Sequence, residues 1–175
     1  ALKANIASPT FTGVPAAPTA TAGTNTTQVA TTAFAKAAAD AAGKVLQVVT
    51  DKIASTFSTS SQNVFVTTGQ SLAITPSSTS SKILIMFSAK SVKTVAANTA
   101  IHIEVRRSGT TVTQGGYYTA QQAGNQTVPF GVIHTLDSPS TASEVTYEVF
   151  ASEGGVAGTV SLNGPREITL MEIAG

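Results

Sequence analysis

The first 32 residues offer almost nothing with which to build a hydrophobic core. Ala and Thr dominate, Pro9, Pro15 and Pro18 interrupt any regular element, Lys3 carries the only charge, and the large apolar side chains are Leu2, Ile6, Phe11, Val14 and Val29. Ordering such a segment costs about 1–2 kcal/mol per residue in backbone entropy, roughly 30–60 kcal/mol in all. Burying the five large side chains returns only roughly 8–15 kcal/mol. The methyl groups of Ala and Thr add a comparable amount only when covered on every side, and a lone chain cannot cover them. The segment is therefore either a disordered linker or part of a core completed by several copies of the chain.

Residues 31 to 44, TTAFAKAAADAAGK, read differently. Thr32 is placed to cap a helix, residues 33–42 are helix formers apart from Phe34, and Gly43 suits the position just past the C-terminus. Phe34, Ala38 and Ala41 recur at helical spacing on one face. About ten residues are too few for a helix to persist alone in water. The small-residue face suits close packing against identical helices, and the alternative is a frayed linker helix.

Near residue 43 the composition changes, and from Lys44 onward the apolar period drops to two. Strands are predicted at 45–50, 52–58, 63–67, 71–75, 82–90, 100–107, 110–119, 127–135, 144–151, 157–162 and 166–173. Thr68-Gly69, Pro76-Ser77-Ser78, Ser108-Gly109, Ser138-Pro139-Ser140, Gly154-Gly155 and Asn163-Gly164-Pro165 carry turn chemistry between them. Ser108-Gly109 predicts a two-residue hairpin. The spacing of the strands, with no helices between them, predicts an all-β antiparallel sandwich, jelly-roll-like, over 44–175, preceded by a distinct segment over 1–43. In AIHIEVRR, Ile101, Ile103 and Val105 alternate with His102, Glu104 and Arg106, giving one core face and one polar face. In KILIMFSAK, Ile83 to Phe87 is apolar throughout. Such a run is covered on both faces, the second either by a long loop or by a neighbouring subunit.

Composition narrows the function. The formal net charge is +1 and only 11% of residues are charged, which excludes the basic stripe of a nucleic-acid binder and a polybasic membrane anchor. There is no cysteine, so neither a disulfide framework nor a thiolate metal site is available. No apolar run reaches the roughly 18 residues of a membrane helix, so no membrane insertion is expected. The chain opens with ALKAN rather than Met, as expected of a fragment of something longer, and ends at Gly175 directly after a predicted core strand, as expected of a terminal domain.

Residues 8–38, SPTFTGVPAAPTATAGTNTTQVATTAFAKAA, resemble the shaft segment of tailed-bacteriophage tail fibre proteins. KVLQVV (44–49), FSTSS (57–61), ITPSSTSSKILI (74–85), LDSPSTASEVTYEV (136–149) and ITLMEIAG (168–175) are similar to the β-rich tips of such fibres. The resemblance covers nearly the whole chain. It implies a homotrimer within a virion appendage, an extended intertwined shaft over residues 1–43 and a tip that contacts the host. It also implies that Ile6, Phe11 and Val14 are covered by neighbouring copies, with Val29, Phe34, Ala38 and Ala41 in the same interface. The partners implied are a host cell-surface glycan or outer surface protein, and other virion tail proteins through a preceding part of the chain. The competing reading is a purely structural trimeric appendage, a head or neck fibre or a spacer, without receptor binding.

Catalysis finds little support in the residues. Glycoside hydrolysis needs two carboxylates facing across a cleft, whereas alternation makes Glu104, Glu148 and Glu167 ordinary solvent-face residues. His102 and His134 are the only histidines and do not form His-x-His, so neither metal nor any other cofactor is expected. No nucleophile elbow or phosphate-binding loop is present, and Gly115-Gly116 and Gly154-Gly155 read as bulges or hinges. The residues best suited to bind a ligand lie in 113–127, TQGGYYTAQQAGNQT. Tyr117 and Tyr118 offer flat apolar faces with hydroxyls, and Gln121, Gln122 and Asn125 offer paired donors and acceptors, a mixture that fits sugar hydroxyls or peptide edges. The bland reading is a strand edge with a solvated loop. SEGGVAG, 152–158, is a weaker second candidate.

Overall fold

A computed structural model describes residues 13–41, 44–95, 98–118 and 126–175. The chain divides into two compact units, residues 1–43 and 44–175.

Within 44–175, the alternation seen in the sequence becomes two antiparallel sheets. The first runs β1 (Val45–Ile53), β10 (Val160–Ile173), β4 (Lys82–Thr94), with β7 (Gln126–Pro129) and β8 (Val132–Asp137) sharing the far side of β4 and β2 (Phe57–Thr59) pairing with β10. The second runs β3 (Val66–Ile74), β9 (Val145–Gly155), β5 (Thr99–Arg107), β6 (Thr110–Tyr118). The antiparallel pairs nest: β5 with β6, β4 with β8, β3 with β9, β1 with β10. A long hairpin rolled so that its inner pairs fold over its outer ones is a jelly roll, and the expected sandwich is what forms.

The core is the space between the inner faces. Ile83, Ile85, Phe87 and Val92 of β4 and Leu162, Ile168 and Leu170 of β10 meet Ile101, Ile103 and Val105 of β5 and Tyr147 and Val149 of β9. These side chains are buried almost completely, and each is worth about 1.5–3 kcal/mol relative to exposure. Phe87 is met edge-on by Phe130, with centroids 5.8 Å apart and planes at 73°. Tyr147 is fully buried, and its hydroxyl donates to Asp137 Oδ2 at 2.7 Å. Arg107 Nη1 reaches the same oxygen at 2.6 Å.

Several boundaries differ from the sequence expectation. Residues 63–67 and 71–75 do not form two strands about a turn. Thr68-Gly69 sits inside β3, where a register shift between Thr67 and Ser71 accommodates Gly69 at φ 76°. Asn163-Gly164-Pro165 likewise lies inside β10, at a register shift between Asn163 and Arg166 where ladder pairing lapses. In each case turn residues serve a bulge. The predicted 52–58 strand is shared between the end of β1 and β2, and 127–135 splits at Phe130-Gly131. Ser108 and Gly109 form the expected hairpin, both with positive φ (49° and 83°), as a turn twisted to match its strands requires.

In the unit 1–43, the described residues up to 31 adopt no regular element, and α1 spans Thr32–Ala41. The cap is Thr31, one residue before the expected Thr32: its Oγ1 accepts from Phe34 N at 3.1 Å and its carbonyl from Ala35 N at 3.0 Å. Among the described residues 13–30 a single backbone–backbone hydrogen bond forms, from Thr24 N to Thr21 O.

Candidate functional site

Register places a set of strand ends together. Thr94 of β4 pairs with Gln126 of β7 and with Val160 of β10, which also pairs with Thr59 of β2. On the other sheet, Thr99 opposes Gly155 and Ala100 opposes Tyr118. Bonds from Val95 N to Thr159 O and from Val156 N to Asn98 O join the connections. The end of β4, the start of β5, the end of β6, the start of β7, the end of β9 and the start of β10 therefore share one end of the sandwich. The opposite end holds the start of β1 at Val45, the end of β10 at Ile173 and the Ser108-Gly109 hairpin.

The described parts of both candidate binding segments thus reach the same end. Tyr117 and Tyr118 are the last residues of β6, with backbones paired to Ile101 and Ala100. Gln121, Gln122 and Asn125 lie outside the described residues. Of the glycines expected to act as bulges or hinges, Gly155 does turn the chain, whereas Gly115 and Gly154 make room for neighbouring side chains. At Gly115, an added Cβ would stand 3.2 Å from Ile133 Cδ1, so the missing side chain lets β6 close on β8. At Gly154 it would stand 2.7 Å from Cε1 of His102, so this residue seats the imidazole ring. Gly155 turns the chain at φ 83° with its would-be Cβ 2.2 Å from Asn98 O, which only glycine tolerates.

Under this end lies the carboxylate of Glu153, a residue of the 152–158 segment. Glu153 continues the inward phase of Val149 and Ala151, is fully buried, and has no hydrogen-bond partner for either oxygen. Its backbone is tied to the 61–63 segment: Glu153 N donates to Ser61 O at 2.9 Å and Asn63 N to Glu153 O at 2.7 Å. Thr99, opposite Gly155 in the same ladder, is also fully buried.

The remaining charged groups are engaged in structure. Glu104, placed on the polar face by alternation, is only 5% exposed rather than solvated. Its Oε2 accepts from Arg106 Nε at 2.9 Å and Nη2 at 2.6 Å, and Thr111 donates to its other oxygen. The Arg106 guanidinium lies 4.2 Å from the Phe150 ring centroid. Glu172 is buried at the opposite end, accepting from Ser77 N at 2.6 Å and from Gln47 Nε2 at 2.7 Å. Burial acts to raise its carboxyl. The donors Gln47 and Ser77, with the Ser81 hydroxyl close by but short of hydrogen-bond geometry, outweigh that and hold it below its ordinary value. Burial first, then the Asp137 carboxylate, push the Tyr147 phenol well up. Arg166, 2% exposed, donates to the carbonyls of Ser55 at 3.2 Å and Thr68 at 3.1 Å, and burial lowers its pKa. Glu148 and Glu167 lie on the outer faces of different sheets, so they do not face one another. Among the described residues no three His, Asp or Glu side chains gather as a metal site.

In the unit 1–43, Ile6 and Phe11 lie outside the described residues. Val14 is 96% and Val29 75% exposed, Ala38 is exposed, Phe34 is half-buried, and Ala41 ends α1. An open cavity of about 520 Å³ is lined by Ala17, Pro18, Thr21, Gln28 and Val29 among others. A second, of about 130 Å³, is lined by Ala20, Ala22, Phe34, Ala37 and Ala38. Of the side chains assigned to a shared interface, Val14, Val29 and Ala38 are thus left open by the single chain.

No helix among the described residues is long and apolar enough to cross a membrane. No protein-family model and no curated protein matches the chain.

Proposed function

We propose that this chain is a non-enzymatic tail fibre tip of a virion, assembled as a homotrimer through residues 1–43 and attaching to a bacterial surface through the loop-bearing end of its jelly roll. The observation that carries the reading is the division of the sandwich into two ends. One end holds the start of β1, where the chain arrives from the first unit. The other holds the end of β6 at Tyr118, the start of β7 at Gln126 and the end of β9 at Gly155. A tip domain needs its ligand-facing loops away from its point of attachment, and the strand ends that flank the candidate segments support that arrangement. The exposed Val14 and Val29 and the open cavities around Phe34 support assembly, because a segment with one internal backbone bond over residues 13–30 needs other chains to complete it.

Attachment by such a tip is multivalent. Weak sites on a common stalk act at an effective concentration in the millimolar range, so avidity exceeds single-site affinity by about 10²–10⁴-fold. The test is binding of the full chain to host cells, with purified surface glycans as competitors. Replacing Tyr118 and Gln121 by Ala is expected to reduce adsorption while leaving the sedimenting mass unchanged. Undiminished adsorption by that variant removes the 113–127 segment as the site.

A further inference from the structure

The two outer faces of the sandwich are not alike. On the β3-β9-β5-β6 sheet, cross-strand rows pair Glu148 with Arg106, Phe150 with Glu104 and Ser152 with His102, and the Arg106 guanidinium, bonded to Glu104, covers the Phe150 ring. On the other sheet, Val48, Met171, Leu84 and Leu136 lie in one row across β1, β10, β4 and β8. The next row is Thr50, Thr169, Met86 and His134, and the flanking rows add Val45 with Ile173 on one side and Val132 on the other. Val45, Val48, Val132 and Leu136 are each more than half exposed. The charges on this face stand at or beyond its outermost rows: Lys82 on one side, Lys52 and Glu167 on the other, with Lys90 and Lys93 farther along β4. This explains the unbroken apolar run in β4: Ile83, Ile85 and Phe87 fill the core, while Leu84 and Met86 belong to a second apolar surface.

We infer that this face is covered by a second copy of the chain, an inference that rests on the assembly proposed above. Strand and residue spacing make the patch roughly 400 Å², about half of what one partner buries in an interface that holds by itself. An unlinked protein arriving from solution would be held weakly by such an area. A copy already gathered through its first unit would not need more, because tethering supplies a millimolar effective concentration. The tether is short: residues 42–44 alone separate the end of α1 from β1, the strand that contributes Val45 and Val48 to the patch. The uncharged middle rows also let identical faces meet without like charges opposing each other.

The chain has no cysteine, so single-cysteine variants of the full chain report on this face directly. Val48→Cys and Leu136→Cys are compared with Val64→Cys, since Val64 is similarly exposed (51%, 52% and 61%) but lies outside the patch. In the assembled protein, alkylation at positions 48 and 136 is expected to be at least about tenfold slower than at 64, the factor that 1.4 kcal/mol of protection gives. Equal rates in a chain that sediments as an oligomer overturn the inference and leave the assembly intact. A chain that sediments as a single copy overturns both.

Discussion

Phe87 is the side chain on which the two-sheet packing can be tested most cleanly. It is fully buried at the centre of β4, opposes Ile168 on one side and Ile133 on the other, and meets Phe130 edge-on. Phe87→Ala removes the transfer energy of the ring and leaves a cavity that the rigid ladders on both sides cannot close. Such truncations cost about 3–5 kcal/mol, against the roughly 5–15 kcal/mol that holds a typical domain together. Part of the cost belongs to the aromatic pair. Phe130→Ala and the double variant complete a cycle whose coupling is expected at about 0.5–1.5 kcal/mol. The assay is guanidinium unfolding followed by far-ultraviolet circular dichroism at one fixed protomer concentration, since assembly makes the midpoint concentration-dependent. The midpoint should fall while the slope stays unchanged. A loss below about 1.5 kcal/mol, the level of a tolerated hydrophobic swap, would mean that Phe87 is not packed between the sheets and that the register of β4 is wrong.

Three further perturbations test separate parts of the account. Glu172→Gln keeps the shape but turns an amide donor toward Gln47 Nε2, at an expected cost of about 1–3 kcal/mol at neutral pH. Because the folded carboxyl is held below its ordinary 4.5, its stabilisation is complete above that value and is lost as pH falls through the folded one. The gap between wild type and variant in urea melts should therefore narrow in acid, and a gap that widens refutes the assignment. Glu153→Leu removes a buried carboxylate with no partner and is expected to stabilise the protein by about 1–3 kcal/mol in the same melts. Destabilisation would mean that Glu153 holds something in solution. Gly155→Ala forces a side chain into positive φ and onto Asn98 O, and should cost at least about 2 kcal/mol in thermal melts read against wild type.

The legible parts of the fold were those where a local pattern had one structural meaning. Alternation in 100–107 separated Ile101, Ile103 and Val105 from Glu104 and Arg106 because a half-buried strand has no other way to satisfy both faces. Ser108-Gly109 marked its hairpin because two consecutive positive φ values suit few residues. Gly69 and the Asn163-Gly164-Pro165 stretch misled because bulges and turns draw on the same residues, and only pairing with a distant strand tells them apart. Glu153 and Glu172 were legible in principle. Each continues an inward phase, from Val149 and Ala151 in one case and from Ile168 and Leu170 in the other, but their charge argued for the surface. The gathering at one end of the strand ends that flank the candidate segments followed from long-range register, which no local spacing encodes.

The claim on which the rest depends is that the amino-terminal unit is completed by other copies of the chain. Sedimentation equilibrium of the full chain in dilute buffer, paired with amide exchange over residues 13–41, measures it directly. The expected result is a single species of three times the 17.7 kDa chain mass, with exchange in that segment slowed only while the species persists. A 17.7 kDa species with the same segment protected would contradict it.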